Sequence, residues 1–161
     1  MDDIKPLAQN KKISVNINGR NVEKEIGSLE ISNFVSKVAA IPEIRKEMVK
    51  LQRNIDRRKG VVMDGRDIGS VVFPDADIKL FLTASDTVRA KRRFDEMINN
   101  GSSVSYDDIL NNIRIRDKLD SSRTDSPLTI EKDAVVIDNS NMSIDEQIRQ
   151  IILLIDKKIA N

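Results

Sequence analysis

The sequence predicts an α/β fold in which helices flank a mostly parallel sheet, together with a smaller α+β region near the amino terminus. Nearly continuous apolar runs occur at GVVMD (60–64), DIKLFLTA (77–84) and DAVVID (133–138), and such runs are typical of parallel strands buried on both faces. Segments with helical periodicity separate these runs. The 161 residues are enough for a domain with a substantial core.

The first third of the chain predicts a β-hairpin followed by two helices. Residues 12–24 (KISVNINGRNVEK) alternate apolar and polar side chains around Asn18-Gly19, which is a strong hairpin signal. Ser28 is suited to cap a helix that runs to about residue 39. Pro42 is suited to begin a second helix that runs to about residue 57.

Three further helices are predicted between and after the apolar runs. The first spans about residues 86–99 with Ser85 as its cap, and the second spans about residues 105–120. The last begins at the capping box Ser143-x-x-Glu146. The polar segment 120–129 (DSSRTDSPLT) is predicted to be a loop.

The composition excludes several classes of function. Without Cys or His the chain has no disulfide, no thiol nucleophile and no Ser-His-Asp triad, and it lacks the side chains of most zinc sites. The formal net charge is only +1, so no general affinity for nucleic acid is expected. The longest apolar stretch, IILLI at 151–155, is too short for a membrane span, and residues 1–12 lack the apolar core of a signal peptide. We therefore expect a cytoplasmic protein whose Arg, Lys, Asp and Glu side chains suit phosphate chemistry with Mg²⁺.

Charged side chains concentrate where such chemistry is expected. In open α/β sheets ligands bind beyond the carboxyl ends of the strands, and a charged triplet follows the GVVM run there. The triplet and two later clusters are Asp64, Arg66 and Asp67; Arg89, Lys91, Arg92 and Arg93; and Arg114, Arg116, Asp117, Asp120 and Arg123. Each cluster alone is compatible with a solvated helix face or a turn cap. The presence of all three clusters in one chain favours a ligand-binding site over three independent surface features.

These residues resemble the bacterial cytidylate kinases, the (d)CMP kinases of the nucleoside monophosphate kinase family. The similar segments, in the family's order, are VVMDGRDIGSVVFPDADIKLFLTAS, RAKRR, IRIRDKLDSSRTDSPL and AVVIDNSNMSIDEQI, and EISNFVSKVAAIPEIRKEM resembles the CMP-specific insert. The likeness covers residues 10–158. It implies a P-loop-kinase-like parallel sheet with flanking helices. Residues 1–59 would then form the CMP-binding region with its small α+β insert, and residues 60–161 the rest of the core with a lid at about 100–128.

The resemblance implies which residues recognise the base of CMP. Ser36, Arg45 and Asp67 would contact cytosine. The chemistry fits, because the exocyclic amine of cytosine is a donor that pairs with a carboxylate, while N3 and O2 are acceptors that pair with Arg or a hydroxyl. Uracil reverses the donor pattern at this edge, so UMP would leave Asp67 mispaired.

Other matched residues are assigned to the ribose, the phosphates and the metal. Arg116 and Asp120 would contact the ribose, and Arg66 and Arg123 would pair with the CMP phosphate through planar guanidinium groups. The remaining assignments are Asp64 as a water-mediated ligand of Mg²⁺ and either Arg92 or Arg93 as the residue that reaches the ATP phosphates.

The implied reaction transfers the γ-phosphate of ATP to CMP or dCMP and gives (d)CDP and ADP, with Mg²⁺ as cofactor. Its ligands would be CMP or dCMP and ATP. We expect no nucleic-acid or membrane partner, and a monomer when the protein is complete.

The chain departs from the family pattern in one respect. The six glycines form no G-x-x-x-x-G-K-[ST] loop and no Gly-Lys pair occurs, so the first strand and the loop that binds ATP phosphates are not found among the 161 residues. We therefore expect the chain as written to lack its main ATP site. Two further interpretations stay open: a non-catalytic CMP-binding module, and a remnant that does not fold alone.

Overall fold

The structure is a computed structural model, and it describes residues 4–9, 12–54, 60–122 and 127–160. The chain divides into two compact units, Met1–Ile41 and Pro42–Asn161. No helix within the described ranges is both long enough and apolar enough to cross a membrane.

The first unit contains a three-stranded antiparallel sheet in the order β1-β2-β3. Its strands are β1 (Ile4–Gln9), β2 (Lys12–Ile17) and β3 (Arg20–Asn21). Asn18 and Gly19 connect β2 to β3 with φ angles of 50° and 81°, the left-handed conformation that a two-residue hairpin turn requires. The predicted hairpin is therefore confirmed. Strand β1 was not predicted, because Pro6 lacks a backbone N–H and lowers the strand signal; the sheet accommodates it at an edge.

Two helices complete the first unit, α1 (Glu23–Ile26) and α2 (Leu29–Val38). The Ser28 hydroxyl accepts a hydrogen bond from the Ile31 amide at 3.2 Å, which confirms the predicted cap of α2. Ser36, one of the residues assigned to the base, belongs to α2.

The second unit begins with α3 (Pro42–Arg53), and the predicted continuation of this helix to residue 57 falls on 55–59, outside the described residues. The strand predicted at GVVMD is wrong. Residues 60–64 have no regular secondary structure, and Val62 is 99% exposed. A strand exists only when its backbone pairs with a neighbour, and within the described ranges no strand pairs with this segment. A five-residue π-helix, Ile68–Val72, follows.

The other two predicted strands form and pair in parallel. Strand β4 (Leu80–Thr83) lies beside β5 (Val135–Asp138), with Leu80 opposite Val135 and Thr83 opposite Asp138. Three helices accompany them: α4 (Asp86–Asn99), α5 (Tyr106–Ser122) and α6 (Ile144–Ile159). The mixed α/β architecture with a parallel sheet and flanking helices is therefore confirmed.

Local signals account for the ends of these helices. Ser85 caps α4 by accepting from the Val88 amide, and α6 has the complete capping box between Ser143 and Glu146. The core of this unit is small and includes the fully buried side chains of Ile109, Ile137 and Val72. The ring of Tyr106 on α5 packs edge-to-face on Phe94 of α4, with ring centroids 6.2 Å apart.

Candidate functional site

The charged triplet Asp64, Arg66 and Asp67 occupies the turn just before the π-helix, and Asp67 is the residue that precedes its first turn. The wide turn is closed by hydrogen bonds from the Val72 amide to the Asp67 carbonyl (3.3 Å) and from the Phe73 amide to the Ile68 carbonyl (2.7 Å). Helices of this type are rare and occur frequently at functional sites. The turn thereby directs neighbouring charged side chains toward different helices.

Asp67 pairs with Arg45 of α3. An Arg45 Nη2 group donates to Asp67 Oδ2, and the two side chains are only 11% and 15% exposed. Charges that are mostly removed from water are costly unless they are paired. The pair therefore presents a fixed acceptor beside a fixed donor.

Arg66 turns toward α5 instead. Its Nη1 lies 3.4 Å from Asp117 Oδ1, and its Nε lies 3.4 Å from Asp120 Oδ2. Asp117 and Asp120 are three residues apart, so they share a face of α5. Asp120 is buried, whereas Arg66 keeps 38% of its side chain exposed. Arg66 is thus oriented by two carboxylates while more than a third of its side chain remains exposed to solvent.

Asp117 also joins α5 to α4 through Arg89. Arg89 Nη1 donates to Asp117 Oδ1 at 3.0 Å and Nη2 donates to Oδ2 at 2.6 Å, which is a bidentate pair. Burial opposes ionisation of Asp117, but the hydrogen bonds from Arg89 and the charges of Arg89 and Arg66 outweigh it and lower its pKa. The hydrogen bonds to Asp117 raise the pKa of Arg89 correspondingly. Asp117 is therefore an ionised link between both helices and Arg66.

Positive charge accumulates around Arg116 of α5. Burial, together with the nearby charges of Arg66 and Arg93, lowers the pKa of Arg116, while Asp120 acts in the opposite sense. The Nε of Arg116 is buried and finds no hydrogen-bond partner in the described part of the chain. We call Arg66, Arg93 and Arg116 the arginine cluster. An anion beside these residues would relieve their mutual repulsion and supply a missing acceptor.

Arg92, next to Arg93 on α4, has a different environment. Its Nη1 donates to Asn139 Oδ1 at 2.9 Å and its Nη2 donates to the Asn139 carbonyl at 2.7 Å. Asn139 follows β5 directly, and its side-chain amide also donates to Gln147 at 2.6 Å. Arg92 therefore ties α4 to the segment after β5.

The acidic side chains near the charged triplet fit Mg²⁺ only if water and substrate phosphates supply most of its ligands. Among the residues that the structure describes, no group of three or more acidic, Cys or His side chains is arranged to bind a metal ion. Asp64 is exposed and offers one hard carboxylate. Mg²⁺ in nucleotide sites commonly uses one or two carboxylates and completes its shell with water and substrate phosphates, so a single Asp64 is compatible with that mode.

The structure brings together most of the residues expected from the sequence. Arg45 joins Asp67, and Arg66 joins Asp120 near Arg116 and Arg93, all within the second unit. Ser36 belongs to the first unit, and Arg123 lies outside the described residues.

Sequence reasoning assigned no role to Asp117 or Arg89. The three-residue spacing of Asp117 and Asp120 was a signal that both side chains share one face of α5. Nothing local in the sequence pointed to the pairing of Asp117 with Arg89.

Parallel strands flanked by helices, together with an arginine cluster and a mostly buried Arg–Asp pair, define an α/β protein with positive charge concentrated in its second unit, as phosphate-bearing ligands require. Comparison with known proteins narrows this class. The family model described as "Cytidylate kinase" matches residues 3–157. The chain belongs to the cytidylate kinase family.

Individual relatives carry the same description. A cytidylate kinase of Flavobacterium johnsoniae is 51% identical over 140 residues, which cover 87% of this chain and 61% of the relative. One of Parabacteroides distasonis is 52% identical over 131 residues, covering 81% of this chain and 57% of the relative. One of Clostridium botulinum is 43% identical over 162 residues, covering 98% of this chain and 75% of the relative. The chain thus spans about three fifths of the length of the Flavobacterium and Parabacteroides relatives.

Proposed function

We propose that the chain binds CMP or dCMP for transfer of the γ-phosphate of ATP, a reaction that yields (d)CDP and ADP. Support comes from the names of its relatives and from the charged residues around the π-helix. The proposal places the protein in pyrimidine metabolism in the cytoplasm, as a monomer. Functionally, residues 1–59 would serve CMP binding with a small insert, and residues 60–161 would supply the rest of the core, with a lid at about 100–128.

The observation that carries the proposal is the pairing of Arg45 with Asp67 beside Arg66. The pair offers an acceptor and a donor side by side. Cytosine presents the complementary order, with its amine donating to Asp67 and its N3 and O2 accepting from Arg45. We propose that Ser36 adds a hydroxyl to this recognition. Uracil would bring an N3–H donor and an O4 acceptor to the wrong partners, and mispaired polar groups of this kind reduce affinity strongly.

The sugar and phosphate of CMP would lie toward α5. Asp120 would accept hydrogen bonds from sugar hydroxyls, and Arg116 would contact the ribose. Arg66, whose side chain is partly exposed, would pair with two oxygens of the phosphate. Arg123 follows Asp120 by three residues and would be the second phosphate ligand.

Arg93 is the better candidate for contacting the ATP phosphates. Its positive charge contributes to the lowered pKa of Arg116, whereas the Arg92 guanidinium is hydrogen-bonded to Asn139. Asp64 would contact Mg²⁺ through water. The ion would neutralise charge on the phosphates when bound. Phosphoryl transfer requires mainly positioning and charge neutralisation, and both Arg66 and Arg93 would supply positive charge without proton transfer.

A second candidate function is CMP binding without phosphoryl transfer. It is favoured by a specific observation: the 161 residues contain no G-x-x-x-x-G-K-[ST] sequence. That loop provides the backbone N–H groups and the Lys that contact ATP phosphates. In this second candidate function the chain would bind CMP but would not transfer a phosphoryl group to it.

Calorimetry with CMP, dCMP and UMP tests both candidates. We expect CMP to bind at least about tenfold more tightly than UMP, the equivalent of one charge-assisted hydrogen bond. Adding ATP and Mg²⁺ and measuring ADP then distinguishes the two candidate functions. Formation of ADP supports the kinase, and CMP binding without ADP formation supports the non-catalytic CMP-binding module. A chain that melts cooperatively but binds CMP no better than UMP would overturn the proposal.

A further inference from the structure

The last residue of α3, Arg53, contacts the carboxyl end of the π-helix. Its Nε donates to the Val72 carbonyl at 3.1 Å, and its Nη2 donates to the Val71 carbonyl at 2.5 Å. The final carbonyls of any helix lack partners within the helix. A planar guanidinium with several donors can satisfy two of them at once, which a Lys cannot do in the same geometry.

The same helix also contacts the opposite end of the π-helix. Arg45, eight residues before Arg53 on α3, pairs with Asp67, the residue at the amino end. Two arginines of the same helix therefore bind both ends of a segment that is only five residues long. Because so short a helix has little stability of its own, its orientation is set by the groups that bind its ends.

We propose that Arg53 is a positioning residue for recognition of the pyrimidine base. It acts on the ligand through the π-helix and Asp67 and touches no substrate itself. This inference rests on the proposed function, since it gives Asp67 the base-reading role. A carboxylate that is free to rotate would lose its discrimination between an amine and a carbonyl. The phosphate contact of Arg66, which two carboxylates of α5 orient, would persist. The ribose contact of Arg116, itself a residue of α5, would persist as well.

The test compares Arg53→Gln and Arg53→Lys with Lys50→Gln. Lys50 is on the same helix and pairs with Glu47 at the surface, where both side chains are about two-thirds exposed (68% and 66%). Each Gln variant removes one positive charge from α3, so the control accounts for charge. Two readouts are needed: hydrogen exchange of the amides of residues 67–73, and binding of CMP, UMP and ribose 5-phosphate.

In Arg53→Gln we expect exchange at 67–73 to rise about three- to tenfold, and CMP affinity to fall by a similar factor, as for loss of charge-assisted hydrogen bonds. UMP and ribose 5-phosphate should change by less than about twofold, and Arg53→Lys should lie between wild type and Arg53→Gln. Lys50→Gln should match wild type in both readouts.

The outcomes are separable. Equal exchange at 67–73 in Arg53→Gln and Lys50→Gln would overturn the contact as a determinant of the π-helix. Faster exchange with an unchanged ratio of CMP to UMP affinity would reduce Arg53 to a stabilising residue and overturn the positioning role. A wild-type chain that fails to bind CMP would overturn the proposed function and the positioning role together, while the exchange data would still decide whether Arg53 fixes the π-helix.

Discussion

Replacing Asp67 with Asn isolates the charge that the proposed base recognition requires. Asn keeps the shape of the side chain but substitutes an amide, which has donors as well as an acceptor, for a carboxylate that only accepts. Asp67 and its partner Arg45 are 15% and 11% exposed, so solvent screens the change little. Asp67→Asn should therefore affect ligand preference rather than merely surface charge.

The magnitude follows from the bond that is lost. A hydrogen bond to a charged group contributes about 1.5–3 kcal/mol, which corresponds to an affinity change of about 10- to 150-fold. CMP should lose this amount, because its amine would face a neutral group. UMP should not lose it, because the Asn amide can donate to O4 of uracil. The ratio of CMP to UMP affinity should thus fall by about the same factor.

The assay is calorimetric titration of Asp67→Asn and wild type with CMP and UMP. Asp95→Asn is the matched control, since Asp95 pairs with Lys91 on the exposed face of α4. Removing the carboxylate partner of Arg45 should also cost about 1–3 kcal/mol of stability, so a thermal melt must establish that the variant is folded. Equal losses for CMP and UMP in a folded variant would refute the assignment of Asp67 to the base.

Three further predictions concern the second unit. Asp117→Asn should lower the free energy of unfolding by about 1 kcal/mol at pH 6. Because the pKa of Asp117 in the folded state is below its ordinary value of 3.8, chemical denaturation should show the difference between wild type and variant shrinking as the pH falls below 3.8. A difference that stays constant with pH would contradict this prediction. Arg93→Gln should weaken binding of inorganic tripolyphosphate about tenfold. Arg92→Gln should lower the melting temperature and leave tripolyphosphate binding unchanged. The reverse pattern would exclude Arg93 as the residue that contacts the ATP phosphates. Val62→Ser should change the free energy of unfolding by less than about 0.5 kcal/mol, and a loss above about 1.5 kcal/mol would imply that Val62 is buried in solution.

Elements with strong local signals were predictable from the sequence. The turn at Asn18-Gly19 needs left-handed backbone, and both residue types adopt it readily. Ser85 and the Ser143–Glu146 box contain the side chains that satisfy the first amides of their helices, so the starts of α4 and α6 follow from neighbouring residues. No information from distant parts of the chain was required.

Elements that depend on distant partners were predicted less well. An apolar run such as residues 60–64 indicates that burial of the segment would be favourable. It does not indicate whether a neighbouring strand is present to form backbone hydrogen bonds with it. In this structure Val62 lies in solvent and the segment is not a strand. DAVVID had the same appearance in the sequence, yet it found β4 as its partner.

The candidate site shows the same division. Residue types and their clustering were visible in the sequence, but the specific pairs were not, because Asp117 meets Arg89 across two helices that are separated by a loop. Arg92 and Arg93 could not be distinguished in the sequence. Successive residues on a helix point about 100° apart. Only the packing of α4 reveals that Arg92 contacts Asn139, while the charge of Arg93 helps to lower the pKa of Arg116.

The central feature of the site is that Arg66 and Asp67, neighbours in sequence, contact different helices. Arg66 is oriented by carboxylates of α5, and Asp67 is oriented by Arg45 of α3. Their Cα atoms are about 3.8 Å apart, so one turn links the Arg45–Asp67 pair, which we propose reads the base, to the arginine cluster. A displacement of α3 relative to α5 would therefore alter the distance between the two halves of the site even if every charged side chain were retained. Such a dependence on geometry is what a site must have if it binds the base and phosphate of one nucleotide together, and a set of independent surface ion pairs would not require it.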